Sequence, residues 1–212
     1  MIAKRLVAHR GYPRHYPENT LLGMSKAIEA RAKFIETDIL FSADQQPERL
    51  GQAFVGEHIT PLSALVGLLS EHPNVTAFIE LKRTGLETVG IENAYRIVTE
   101  ILNPVIGQCV LISFSDEFIQ YAHEQQFPRL GVVLKDWQDR QGPWITDIQP
   151  EFIFCDTDKV PEGATLDDLQ STVVVYEVED PDQAIDWFNR GADMVETFDI
   201  GSMITNLAHR AL

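Results

Sequence analysis

The chain has 212 residues, 44% of them hydrophobic and 23% charged. That is enough to fill one core without disulfide staples, and it excludes a disordered, collagen-like or disulfide-framework chain. Thirty-two acidic residues against seventeen basic ones leave a net charge of −15. Such a chain repels phosphate polyanions at long range, which speaks against a nucleic-acid partner but not against a small phosphate ester held beside a divalent cation.

No stretch approaches the roughly 20 apolar residues of a membrane-spanning helix. The opening residues run straight into His9-Arg10, without the longer apolar core of a signal peptide. The two cysteines, Cys109 and Cys155, sit in apolar runs and read as buried free thiols. Together these features predict a cytoplasmic protein.

In chain order, short β-rich runs alternate with helical stretches. Strand 6–9 is followed by a helix over 19–32, with Asn19 as a candidate cap. Strand 34–41 leads to a helix that starts at Pro61, a residue suited to a first turn. Strand 76–81 precedes one long helix over 86–102. Strand 110–114 and helix 116–125 follow, then strand 130–134 and a short helix within 136–149. Strand 152–155 is followed by a helical turn at 166–169. Strand 173–178, helix 181–189, strand 194–198 and helix 202–212 complete the chain. Eight strand–helix units in a row predict a (β/α)8 TIM barrel filling residues 1–212 as a single domain. A doubly wound open sheet is the alternative.

The active face of such a barrel lies at the C-terminal strand ends. Residues of one parity in a strand share a face. Glu36 and Asp38 therefore leave one side of the second strand, Glu80 and Lys82 one side of the third, and His9-Arg10 ends the first. Three converging carboxylates repel one another unless a cation lies between them. An all-oxygen set suits Mg²⁺ or Ca²⁺, and Arg10 and Lys82 beside it would hold phosphate oxygens. Asp156 with Asp158 and Glu177 with Glu179 repeat the same spacing. Spacing alone does not choose among these pairs.

Motifs along nearly the whole chain do choose. His9-Arg10-Gly11, Pro17-Glu18-Asn19-Thr20 and Glu36-Thr37-Asp38 resemble the signature of the glycerophosphodiester phosphodiesterase family. Phe41-Ser42-Ala43-Asp44, Ile59-Thr60-Pro61-Leu62, Glu80-Leu81-Lys82 and Ser113-Phe114 follow in that family's order, and Tyr176 to Pro181 and Gly191-Ala192-Asp193 resemble its closing segments. The resemblance implies a TIM-barrel phosphoric diester hydrolase of lipid metabolism. It would cleave a small glycerophosphodiester to an alcohol and glycerol 3-phosphate with a divalent cation, Mg²⁺ or Ca²⁺. By the same resemblance Glu36, Asp38 and Glu80 are the metal ligands, Arg10 and Lys82 bind substrate phosphate, and Glu18 lies near the metal. His9 is then one of two histidines that trade protons with the glycerol 2-hydroxyl and the leaving alcohol.

The chain departs from the family after Pro47. The family's His-Asp pair, which carries its second histidine, would fall near Gly51, where none occurs, and the capping insertion is cut to a short loop. His15 and His58, in the loops after the first two strands, are the candidates to replace it. Tyr176, Glu179 and Phe198 stand where tryptophan, asparagine and aspartate are usual. A shortened cap predicts tolerance of varied head groups, and it leaves open the pairing of two chains. A silent barrel that binds a phosphodiester or a protein partner is the alternative to an active hydrolase.

Overall fold

The computed structural model describes residues 2–41, 47–49, 60–167 and 169–210. Eight strands form the barrel wall: β1 (Leu6–Ala8), β2 (Phe34–Phe41), β3 (Thr76–Leu81), β4 (Cys109–Ser113), β5 (Leu130–Val133), β6 (Phe152–Asp156), β7 (Thr172–Tyr176) and β8 (Met194–Thr197). Each is parallel to its neighbours in sequence order. The ring closes because β1 pairs with both β8 and β2, matching Val7 with Glu196 and Ala8 with Ile35. This closure excludes the open doubly wound sheet, which would leave two free edges.

Alternation along the strands builds two cores. Outward residues such as Leu6, Ile35, Ile79 and Val195 pack under the helices. Inward residues fill the barrel: Val7, Phe78, Val110, Ile112, Val133, Phe152, Phe154, Val174 and Met194, with Phe34 against them. Phe78 lies at the centre of this inner core, with ring centroids 4.8 Å from Phe152, 5.0 Å from Phe154 and 5.8 Å from Phe34. The barrel is plugged by aromatic rings at its base, so polar groups can converge only above them.

Helices α1 (Leu21–Glu29), α2 (Leu62–Glu71), α3 (Arg83–Val89), α4 (Ile91–Leu102), α5 (Asp116–Glu124), α6 (Pro143–Ile148), α7 (Pro181–Asn189) and α8 (Ile200–Ala208) surround the wall. Several differ from the expected elements. The single long helix expected over 86–102 is two helices, because Gly90 takes φ +79° between them, a conformation that glycine adopts without strain. The turn expected at 166–169 is closed by the Leu169 N–H donating to the Leu166 carbonyl at 3.3 Å, but no helix lies between β6 and β7 among the described residues. Between β2 and α2 the described residues pair as strands. Pro47–Arg49 pairs antiparallel with the end of β2, and Thr60–Pro61 pairs with it in turn.

Asn19 does not cap α1. Thr20 does so, its hydroxyl accepting from the Gly23 N–H at 3.1 Å. This frees the Asn19 amide for the site described next.

Candidate active site

The polar groups converge at the C-terminal mouth because the inward parity of each strand continues upward from the inner core. Above Val7 comes His9, above Phe34 come Glu36 and Asp38, and above Phe78 come Glu80 and Lys82. Asp38 lies level with Glu80 in the β2–β3 register. A cavity of about 140 Å³ opens there, lined by His9, Arg10, Glu36, Glu80, Lys82 and Glu196 among others. A larger hollow of about 580 Å³ lies at the opposite end, against Ile28, Ala32, Val75 and Ile204. Among the described residues that end carries no group of converging buried acids, and we place the site at the mouth.

The loop after β1 shapes this mouth. Gly11 has φ +88°, and a Cβ there would come within 2.9 Å of the Gly23 backbone in α1. The third residue of His9-Arg10-Gly11 is thus fixed as glycine by both conformation and space. The turn aims the Arg10 backbone N–H at Glu36 Oε2, to which it donates at 2.9 Å. The Arg10 guanidinium reaches Glu18 Oε2 at 3.1 Å and Asp38 Oδ2 at 3.2 Å. Asn19 fixes Asp38 twice: its amide N–H donates to Asp38 Oδ2 at 3.1 Å, and its carbonyl accepts from the Asp38 backbone N–H at 3.0 Å. The Pro17–Thr20 motif is therefore a support for Arg10 and Asp38 rather than a helix cap alone.

Lys82 Nζ lies 2.8 Å from both Asp38 Oδ1 and Glu80 Oε1. These ion pairs compensate the charge of both carboxylates. His9 is buried and stacks on Phe198 with centroids 4.6 Å apart, its Nε2 3.8 Å from Glu36 Oε2. Burial, aided by the Arg10 charge, pushes its pKa down to about 3. The ring is neutral at pH 7, and the Asp38 charge is what favours its protonated form.

Other expected residues lie apart. His15 is more than half exposed, with its Nε2 3.9 Å from Asp199 Oδ1 and its ring edge-on to Tyr12; it does not line the mouth cavity. His58 falls outside the described residues. The competing pairs also separate: Glu177 lines the cavity, whereas Asp156, Asp158 and Glu179 do not.

Sequence reasoning missed Glu196. It sits in β8 at 3% exposure, and its Oε1 has no hydrogen-bond partner among the described residues. The signal available was parity, since Glu196 follows the inward Met194 by two.

The acids fit a cation. One ligand atom from each of Glu36, Asp38 and Glu80 lies within 4.8 Å of the others. Glu36 Oε1 is buried without a hydrogen-bond partner among the described residues, a cost that a cation would relieve. Burial, then mutual repulsion, pushes Glu36 and Glu196 well above the ordinary carboxylate range. Burial pushes Glu80 up to about 7 against the pull of Lys82.

A pH dependence of stability follows from these shifts. A carboxyl whose pKa is raised on folding contributes stability that is present below its unfolded value of 4.5 and lost as pH rises through the folded value. His9 works in the opposite sense, but its contribution is complete above its unfolded 6.5. Thermal unfolding of chelated protein is thus expected at lower temperature at about pH 8.5 than at about pH 6.5, with Mg²⁺ or Ca²⁺ raising the midpoint more at the higher pH. A midpoint that rises with pH over this interval would contradict the assignment.

Residues 9–47 match the model of the Glycerophosphoryl diester phosphodiesterase family. The human Glycerophosphoinositol inositolphosphodiesterase GDPD2 is 33% identical over 78 residues, which are 37% of this chain and 14% of that protein. The mouse protein of the same name is 32% identical over 87 residues, 41% of this chain and 16% of its own length. The chain thus matches less than one fifth of either relative. The glycerophosphodiester phosphodiesterase of Parabacteroides distasonis superposes with a TM-score of 0.83 at 16% identity, covering 98% of both chains. An Oleispira antarctica phosphodiesterase, solved with the product sn-glycerol-3-phosphate, superposes at 0.80 with 17% identity over 96% of each chain. The match to the family model covers the signature residues in the loop after β1, α1 and β2, and the chain shares the barrel fold of these structures.

Proposed function

From that signature on that barrel, we propose that the chain, as one catalytic unit, is a divalent-cation-dependent phosphodiesterase. It would cleave a glycerophosphodiester to an alcohol and glycerol 3-phosphate. The observation that carries this reading is the convergence of His9, Glu36 and Glu80, beside Arg10 and Lys82, on one mouth cavity, with Asp38 grouped against Glu36 and Glu80 next to it. Glu36, Asp38 and Glu80 would hold the cation, whether Mg²⁺ or Ca²⁺, which when bound supplies Lewis-acid polarisation of the phosphoryl oxygens.

The chain's own groups do the rest. Arg10 and Lys82 present N–H donors to the phosphate, and their present ion pairs with Asp38 and Glu80 keep them oriented toward it. His9 starts neutral and accepts the glycerol 2-hydroxyl proton at a ring nitrogen. The candidates for protonating the leaving alcohol are His15, which would have to turn from Asp199 to reach the cavity, and His58. The unpaired buried thiols Cys109 and Cys155, both pushed up to about 12 by burial, fit a cytoplasmic setting and take no part.

His9→Gln is expected to lower turnover of glycerophosphocholine by about 10²–10⁴-fold with cation binding retained. Release of both glycerol 3-phosphate and head-group phosphate should be measured, with glycerophosphoethanolamine and glycerophosphoinositol alongside. His15→Gln and His58→Gln then identify the second proton carrier. Unchanged turnover in His9→Gln would remove the imidazole from the mechanism. Cation binding without release from any diester would favour a binding barrel instead.

A further inference from the structure

The charges of the mouth are unevenly compensated. Asp38 is met by Arg10 and Lys82, and Glu80 by Lys82. On the other side, Glu36 and Glu196 have no lysine or arginine side chain in ion-pair contact among the described residues. Each keeps one carboxylate oxygen, Oε1, without a hydrogen-bond partner there. Both side chains are at least 97% buried, as their exposures are 1% and 3%. His9 completes this side: it is 6% exposed, and its Nδ1 is likewise unpartnered. One ligand atom from each of His9, Glu36 and Glu196 lies within 4.8 Å of the other two.

We propose that His9, Glu36 and Glu196 form a second cation site, sharing Glu36 with the Glu36–Asp38–Glu80 set, and that it selects a Zn²⁺- or Mn²⁺-class ion. Three buried groups, each with an atom lacking a hydrogen-bond partner and none in ion-pair contact with a lysine or arginine among the described residues, are arranged to give electrons to a cation. The ligand chemistry sets the class. One imidazole nitrogen with two carboxylates suits zinc and its neighbours, whereas the all-oxygen set across Glu36 suits Mg²⁺ or Ca²⁺. The spacing is adjustable. Bonds near 2.05 Å put tetrahedral ligand atoms about 3.4 Å apart, so each side chain draws in by at most about 0.8 Å. Glu36 has two oxygens, Oε2 accepting from the Arg10 N–H and Oε1 without a hydrogen-bond partner among the described residues.

The site does not depend on the hydrolase reading. Where that reading holds, a cation on this side occupies the lone pair with which His9 would accept a proton.

Calorimetric titration of the whole chain and of two near-isosteric variants tests it, with Zn²⁺ and Mg²⁺ as the probes. Glu196→Gln is expected to weaken Zn²⁺ at least about tenfold while Mg²⁺ changes by less than about threefold. Glu80→Gln is expected to do the reverse. Equal weakening of Zn²⁺ in both variants, or unchanged Zn²⁺ affinity in Glu196→Gln, would overturn the second site. Should a variant fail to fold, histidine-¹⁵N spectra of the unaltered protein decide the matter. The His9 ring signals shift on adding Zn²⁺ if the site is real, and signals unmoved at saturation overturn it. Failure of every diester to be cleaved would sink the proposed activity and leave these binding results untouched.

Discussion

Glu36→Gln is expected to reduce cation-dependent release of glycerol 3-phosphate by about 10³-fold or more. Glu36 is the one acid common to both buried ligand groups, and it also receives the Arg10 backbone N–H that fixes the loop after β1. Glutamine keeps the volume and an acceptor for that N–H but removes the negative charge. Lewis-acid stabilisation of the transferring phosphoryl group is worth several kcal/mol, and each 1.4 kcal/mol is about tenfold in rate. The variant should also need far more Mg²⁺ to reach the same thermal stabilisation. Wild-type turnover in folded Glu36→Gln would show that the chemistry does not run through these acids.

Phe78→Ala carries the largest expected cost in stability. The ring has no exposed surface and touches Phe34, Phe152 and Phe154 at the base of the barrel. Removing a buried aromatic ring from a close-packed interior costs about 3–5 kcal/mol, combining lost transfer energy with the cavity left behind. For a chain of this size that is roughly 6–20 °C in the unfolding midpoint. Phe78→Leu, which refills most of the space, should cost less than half as much, about 1–2 kcal/mol. The effect should also reach the mouth, because Phe78 precedes Glu80 by two residues on the same inward face. A midpoint lowered by less than about 2 °C would mean that the inner core carries little of the stability.

How much of this was legible depended on what fixes each feature. The barrel followed from strand–helix alternation, a property of hydrophobic periodicity that a single chain displays openly. Parity brought Glu36, Asp38, Glu80 and Lys82 together correctly, since inward and outward faces alternate strictly in a strand. The same rule would have found Glu196, but an acid in a short strand near the C-terminus stands out less than a paired motif. The role of Asn19 was not legible. Thr20 competes for the cap, and only the fold brings Asn19 to Asp38, which is distant in sequence. Charge compensation was hidden for a similar reason. Nothing in spacing says that Lys82 lies between Asp38 and Glu80 while Glu36 and Glu196 lack a cationic partner among the described residues.

The central claim is that this acid-lined mouth cleaves a phosphodiester with the help of a divalent cation. The direct measurement is ³¹P NMR of glycerophosphocholine incubated with the protein in Mg²⁺, in Ca²⁺ and in EDTA. The account predicts that the diester resonance gives way to that of glycerol 3-phosphate with at least one of the two cations and persists in EDTA. A diester left intact with both cations, while calorimetry shows them bound, would contradict it.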